Sequence, residues 1–305
     1  PYLSSMPSSG KDPMTKDLRP DLKSADAEKL SSLRNPRILK LRKWFSRPDR
    51  ARKEGVILVE GRHPTEEARA AGLELRLVVS SSHIEHVSGA PQLLAALRHG
   101  TKSHLHVADN VMETLSSDPS PQGLITVWDR PALAPFPPKP SSASSLIPAL
   151  AQIQDPANVG SLIRSAAAFG AEGVLILEGT ADPFHPKVIR ASAGTVLRFP
   201  VWELPPEEPL HRALKILSTS GWRLTALSPS GDKDLIPSRM GPSHARILFL
   251  GSEGHGLPEI LLEASRESFK IPIAPTVESL GVAAAGAVAI YAFKNGSSIK
   301  KGGGR

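Results

Sequence analysis

The sequence predicts an α/β protein of two domains. Three observations carry this. Short apolar runs alternate with helical patterns along most of the chain. A Pro/Ser-rich stretch from Arg130 to Ser145 separates two such series, with Pro131, Pro135, Pro137, Pro138, Pro140 and four serines. Several runs in the second series are apolar throughout, as parallel strands buried on both faces are. A length of 305 residues accommodates two cores of useful size.

The elements follow in order. Residues 1–31 are rich in Ser, Pro, Asp and Lys without a sustained apolar period, so a disordered tail is expected. The chain starts at Pro1 rather than Met, as a fragment or a shifted start would. From Arg34 to Lys53, nine basic residues accompany one acid, Asp49. Ile38, Leu41 and Phe45 recur there at helical spacing, which predicts one helix with a buried stripe and a basic remainder. That remainder is either a solvated face or a phosphate-contacting surface formed by Arg34, Arg37, Lys40, Arg42, Lys43 and Arg50. Val56–Val59, Leu75–Val79, His104–Val107 and Leu124–Val127 read as strands, with helices over Pro64–Ala71 and Pro91–Leu97. Asp109 is placed to cap a further short helix. The predicted domain spans 32–128, and the linker 129–145.

The second domain, 146–293, is predicted to begin with a strand at Leu146–Gln152 and a helix at Val159–Phe169. Strands follow at Gly173–Leu177, Trp222–Leu227 and Ile247–Leu250, and Phe269–Ile273 precedes the last helix. Helices are expected at Leu210–Thr219, Pro258–Ala264 and Leu280–Phe293. The Gly/Lys-rich tail, 294–305, should be mobile.

Composition excludes several chemistries. With no cysteine there is no disulfide scaffold, thiolate zinc site, iron–sulfur cluster or Cys nucleophile. No apolar run approaches the ~20 residues of a membrane helix, and the first residues lack an apolar signal core. A cytoplasmic setting without membrane attachment is expected. The net charge of +7 favours a polyanionic partner.

Four segments carry chemistry, most of them where a strand gives way to a helix, which is where open α/β sheets bind ligands. In Gln154-Asp155-Pro156-Ala157-Asn158-Val159-Gly160, Asn158 is placed to cap a helix, and Gly160 admits a close neighbour. Arg164 lies one turn further, as a ligand-directed cation or an ordinary surface Arg. Lys187 and Arg190 share one side of a presumed helix, as a phosphate clamp or a solvated face. In Gly251-Ser252-Glu253-Gly254-His255-Gly256, three glycines after a buried strand let a ligand approach the backbone, and Glu253 is solvated or orienting. Lastly, Ser279 is a good cap for a helix so rich in Ala and Gly that it packs closely.

Together these segments resemble the SpoU/TrmH family of the SPOUT superfamily, RNA ribose 2′-O-methyltransferases. The ordered set is N-x-G-x-x-x-R at Asn158–Arg164, K-x-x-R-x-S-x-G at Lys187–Gly194, L-G-x-E-x-x-G at Leu250–Gly256, then I-P and S-L. Upstream, Val59-Glu60-Gly61 and Gln122-Gly123 resemble the substrate-binding domain that often precedes this catalytic domain and is similar to ribosomal protein L30e. The resemblance implies a deep trefoil knot, S-adenosylmethionine as methyl donor, no metal, an RNA substrate and a homodimer formed through the catalytic domain. It places the donor against Gly251, Gly254, Ile271 and Leu280, with Leu227 and Ser228 lining the pocket. It makes Arg164 the central catalytic residue, with Asn158, Glu253 and Ser279 around it. A guanidinium has a pKa above ~12, so holding a phosphate and stabilising alkoxide charge suits Arg164 better than removing a proton.

The family usually has S-L-N in its last motif, where this chain has Ser279-Leu280-Gly281. A catalytically weak or silent RNA-binding factor is therefore one alternative, and a transfer-RNA 2′-O-methyltransferase another. The extra N-terminal domain favours 23S-type ribosomal RNA.

Overall fold

The structure, a computed structural model, describes residues 30–101, 103–240 and 244–296. The expected disordered tail up to residue 29, and the expected mobile tail beyond 296, lie outside the described residues.

The first domain runs α1 (Pro36–Ser46), α2 (Pro48–Lys53), β1 (Val56–Glu60), α3 (Arg62–Ala70), β2 (Leu75–Ser80), α4 (Ala90–Gly100), β3 (His104–His106), α5 (Asp109–Leu115) and β4 (Leu124–Asp129). Its sheet has the order β1-β4-β2-β3, with β4 antiparallel to both neighbours and β2 parallel to β3.

Three expectations are corrected here. The single basic helix is two, because Pro48 cannot continue α1 and Arg47 leaves helical geometry at φ −136. The buried stripe of α1 is Ile38, Leu41 and Trp44, and Phe45 is only partly buried. Trp44 goes inside because its indole N–H donates to Glu54 at 3.0 Å, so its polar edge is satisfied. Asp109 is not a cap but the first residue of α5, and its carboxylate accepts from the Ser82 hydroxyl at 2.6 Å.

The two upstream motifs meet in space. Gln122 Oε1 accepts from the Arg62 amide at 2.9 Å, while the Gly61 amide donates to the Leu124 carbonyl. Glu60 is buried and accepts from the Ser116 hydroxyl and from the amide and hydroxyl of Ser117.

The linker is strapped to the second domain. Trp202 and Trp222 donate their indole N–H groups to the carbonyls of Pro135 and Pro138, at 3.1 and 2.8 Å. Ion pairs join the two domains: Arg52–Glu203 at 2.6 Å, Arg198–Glu67, and Arg190–Asp118 at 3.6 Å. At the head of the linker, Arg130 grips Asp182 with two hydrogen bonds, of 2.7 and 3.0 Å, and stacks on Phe184. Burial would raise the Asp182 pKa, but the bonds and charge of Arg130 outweigh it and hold the carboxyl below its ordinary value.

The second domain runs β5 (Leu146–Leu150), α6 (Pro156–Ala168), β6 (Val174–Ile176), α7 (Pro186–Ala191), β7 (Val201–Glu203), α8 (Leu210–Thr219), β8 (Arg223–Leu227), β9 (Lys233–Asp234), β10 (Arg246–Leu250), α9 (Glu259–Ala264), β11 (Glu267–Lys270) and α10 (Val282–Asn295). All seven strands pair in parallel, in the order β7-β6-β5-β10-β8-β11-β9. The last to arrive of the central strands, β10, sits between β5 and β8, and Ile247, Leu248, Phe249 and Leu250 are sealed on both faces. The short edge strands β7 and β9 were not expected from the pattern, being too brief to show one.

One end of this sheet is tied by charge. Glu267, the first residue of β11, contacts the first residues of three other strands: Arg246 at 2.6 Å, Lys233 at 3.1 Å and Arg223 at 3.4 Å. Burial raises the Glu267 pKa, but hydrogen bonds and charge from Arg246 and Lys233 prevail and hold it at about 2.

Candidate active site

The opposite, carboxyl end of the sheet gathers the predicted site. β5, β10, β8 and β11 are neighbours there, so the segments that follow them converge from distant parts of the sequence. Asp155 caps α6, accepting from the Ala157 amide at 3.0 Å, with Pro156 as the first helical residue. Asn158 is therefore inside the first turn and not the cap. The Asp-Pro pair was the sequence signal for this start. Gly160 admits not a ligand but α7: a Cβ there would lie 2.5 Å from the Ala191 Cβ and 2.7 Å from the Val188 carbonyl.

The turn after β10 closes on itself. Ser252 and Gly256 exchange backbone hydrogen bonds of 3.0 and 3.1 Å, and Gly256 takes φ 68. A Cβ at Gly251 would lie 2.2 Å from the Gly256 carbonyl, so Gly251 serves the turn's own closure. Gly254 differs: its backbone is exposed and nothing lies within 4 Å of its Cβ position.

Glu253 joins three elements. Its Oε1 accepts from Asn158 Nδ2 of α6 at 3.2 Å and from the backbone amide of Val282, the first residue of α10, at 3.0 Å. The last helix thus begins at Val282 with Gly281 as its cap residue, and Ser279 is an exposed residue before it rather than the cap. The carboxylate suits that place, since the first amides of a helix lack internal partners and carry positive potential.

The expected donor positions line the same end. The Ser228 amide donates to the Phe269 carbonyl at 2.9 Å, linking the ends of β8 and β11. Leu227 and Ile271 are partly buried against the core. Ile273, Val277 and Leu280 are apolar yet 38, 47 and 37% exposed. Gly254 and these three side chains are exposed in the segments that follow β10 and β11, the two neighbours of β8.

Arg164 stands apart. Six residues along α6 from Asn158, it lies about 9 Å further down the axis and on a different face. Among the described residues it makes no hydrogen bond or ion pair with Asn158 or Glu253, which bond each other. It opens instead into a cleft of about 270 Å³ between the domains, lined by His63 and Glu67 of α3 and by Ala193, Thr195, Arg198 and Phe199. No local pattern marks these neighbours: His63 and Glu67 reach Arg164 only through domain packing, and Arg198 only through the folding of the second domain.

The expected phosphate contacts divide. Arg34, Arg37, Arg42, Lys43 and Arg50 are exposed, and no ion pair among the described residues engages them. Lys40 pairs with Glu54 at 3.0 Å and lies over the Trp44 ring. Lys187 is exposed, whereas Arg190 bonds Ser117 at 3.3 Å and faces Asp118 across the domain junction, so the two do not form one clamp. Among the described residues no group of three or more His, Asp or Glu side chains is placed to hold a metal ion. No helix among them is long and apolar enough to cross a membrane.

A parallel sheet with an RNA-methylase motif set at its carboxyl end defines the class, and comparison with known proteins gives the family. Residues 145–291 match the SpoU rRNA Methylase family, and residues 35–126 match the MRM3-like substrate binding domain. An uncharacterised tRNA/rRNA methyltransferase of Synechocystis is 32% identical over 270 residues, covering 88% of this chain and 94% of that protein. The 23S rRNA (guanosine(2553)-2′-O)-methyltransferase RlmP of Bacillus subtilis is 26% identical over 267 residues, 87 and 98% of the two chains. A stretch of 179 residues is 42% identical to the ribosomal RNA small subunit methyltransferase G 2 of Syntrophobacter fumaroxidans, but it covers only 31% of that protein and 59% of this chain. The crystal structure of an RNA 2′-O ribose methyltransferase superposes with a TM-score of 0.74 at 26% identity, over 89% of this chain and 100% of that one. AviRb of Streptomyces viridochromogenes, solved in complex with AdoMet, shares the fold with a TM-score of 0.74 at 23% identity, over 89% of this chain and 100% of AviRb. The chain belongs to the SpoU rRNA methylase family.

Proposed function

We propose that this protein is an S-adenosylmethionine-dependent RNA methyltransferase acting on a ribose 2′-hydroxyl of structured RNA, ribosomal RNA of the 23S type by preference. The observation that carries this reading is the convergence of the motif segments on four neighbouring strand ends, with Glu253 joining two of them to the last helix.

When bound, S-adenosylmethionine supplies an activated methyl group. The residues that would hold it are the backbone of Gly251 and Gly254, Leu227 and Ser228, Ile271 and Leu280. The exposed Leu280 side chain, the partly buried Leu227 and Ile271, and the open backbone at Gly254 support that assignment. Arg164 grips the target phosphate and lowers the energy of the developing alkoxide, at the mouth of a cleft that both domains line. The exposed cations of α1 and α2 supply longer-range attraction to the RNA backbone. A homodimer belongs to the reading. Val288 and Tyr291, three apart on one side of α10, are 43 and 42% exposed and lie where such a contact would cover them. So does the trefoil knot, supported by the insertion of β10 between two strands that precede it. A cytoplasmic location, consistent with the absence of cysteine, completes it.

The test is transfer of labelled methyl groups to RNA from a strain lacking this protein, followed by mapping of the modified ribose. Label in a ribosomal RNA at one 2′-oxygen is the expected result. RNA binding without any labelling would favour a silent binding factor, the reading that Gly281 motivates.

A further inference from the structure

We propose that Arg198 is a second phosphate-binding residue of the methyl-transfer site. With Arg164 it takes a backbone phosphate of the RNA next to the target ribose, and Glu67 of the first domain aims its guanidinium. The proposal rests on the methyltransferase reading above.

The two arginines reach one cleft by different routes. Arg164 is on α6, and Arg198 follows the turn that leaves α7. That turn is built tightly. Ala193 holds φ 52, a left-handed conformation that side chains rarely adopt and that gathers at functional sites. Gly194 follows at φ 79, and a Cβ there would lie 2.8 Å from Glu67 Cβ and 3.1 Å from Pro64 Cα. The bare backbone thus lets α3 of the first domain pack on the turn, and Glu67 comes to face Arg198.

Charge then points to an anion. The Glu67 side chain is only 17% exposed and its carboxylate pairs with Arg198 Nη2, whereas the Arg198 side chain is 53% exposed. A guanidinium carries five N–H donors in a planar fork, so an ion pair at one nitrogen leaves donors for a ligand. Among the described residues, Glu67 is the one carboxylate lining the cleft, against two guanidiniums. One positive charge is left uncompensated in a partly enclosed space. His63, one turn before Glu67 on α3, adds a ring nitrogen to the same wall. An RNA strand offers a phosphodiester on each side of the target ribose, and the arginine fork matches its oxygens. The same excess charge repels a sulfonium, which argues against the methyl donor as occupant.

The test uses the full chain with unmodified ribosomal RNA from a strain lacking this protein, and the variants Arg198→Ala, Arg198→Lys and Glu67→Gln. RNA affinity is measured by filter binding across a salt series, S-adenosylmethionine affinity by calorimetry, and kcat and KM by methyl transfer. Arg198→Ala is expected to weaken RNA binding and raise KM about 10-fold, with a salt slope smaller by about one unit and donor affinity unchanged. Arg198→Lys should recover most of the slope but only part of the affinity, since a point charge replaces the fork. Glu67→Gln removes the ion pair between the domains but keeps the Arg198 charge, so its salt slope should match that of the wild type. An unchanged slope in Arg198→Ala overturns the proposal. So do equal losses in Arg198→Ala and Glu67→Gln, which would mark a tie between the domains and no more. Weaker donor binding in Arg198→Ala with RNA affinity unmoved overturns it as well. If the wild-type chain binds RNA without transferring a methyl group, the methyltransferase reading fails, while the salt slopes still decide whether Arg198 holds a phosphate.

Discussion

The two ends of one parallel sheet are built on opposite principles. At the amino end, Glu267 faces three cations that are themselves the first residues of β10, β8 and β9, and Arg246 of that group also lies over the Phe293 ring. At the carboxyl end, Glu253 meets two neutral N–H donors among the described residues and stays exposed. The same side chain type thus locks one end and lightly steers the other. The difference teaches where precision comes from here: a fixed base lets glycine turns and single hydrogen bonds hold the site without burying it. Substitutions at the two ends should therefore separate, one set changing stability and the other changing turnover.

The largest separation is expected at Arg164. Arg164→Ala should lower methyl transfer about 10²–10³-fold, as loss of a charge-stabilising donor does, while thermal unfolding shifts by no more than about 2 °C because the side chain is exposed. Arg164→Lys should recover part of that loss if charge alone matters.

At the base, the order reverses. Glu267→Ala strands Arg246, which is buried, without its closest carboxylate, and should cost about 2 kcal/mol in urea unfolding while leaving S-adenosylmethionine affinity in place. Loss of donor binding in that variant would show that the two ends are not independent.

Acid should then part the two domains. The folded Glu267 titrates at about 2 against 4.5 for a free carboxyl, so its contribution is complete above pH 4.5 and fades as pH falls toward 2. His104 of the small domain is held at about 4 against 6.5, by burial first and then by Arg98 and His106. It favours the fold while neutral, so that contribution is complete above pH 6.5 and fades as pH falls toward 4. Emission from Trp44 and Trp128 should therefore respond at higher pH than emission from Trp222. Coincident transitions would mean that the strapped linker and the interdomain ion pairs make the domains one unfolding unit.

The smallest effect belongs to the basic helices. Arg42→Ala should weaken RNA binding only a few-fold, and reduce the salt dependence by about one unit, if it contacts a phosphate. An unchanged salt slope would return α1 to a solvated face.

What the sequence made legible was local. The sealed strand β10 reads from Ile247–Leu250, whereas the expectation of one basic helix passes over Pro48, which separates α1 from α2. The start of α6 was written in Asp155-Pro156, although Asn158 also fits a cap by residue type. What stayed hidden depends on distant partners. Ser279 has the chemistry of a cap, yet Val282 takes its acceptor from Glu253, 29 residues earlier. Arg164 shares its cleft with His63 and Glu67, which only domain packing brings near. Trp44 rather than Phe45 turns inward because Glu54 supplies a hydrogen-bond acceptor that periodicity does not register.

The placement of β10 also sets a clock. β5 ends at Leu150 and its central partner begins at Arg246, so the 95 residues between them, and then β10 itself, must be made before the middle of the sheet exists. At ribosomal speeds that interval is roughly 5–20 s, during which β5 presents a bare apolar edge to its surroundings. The central strand of the domain is among its last to emerge, so the nascent chain passes through its most aggregation-prone stage after most of the domain has already been synthesised.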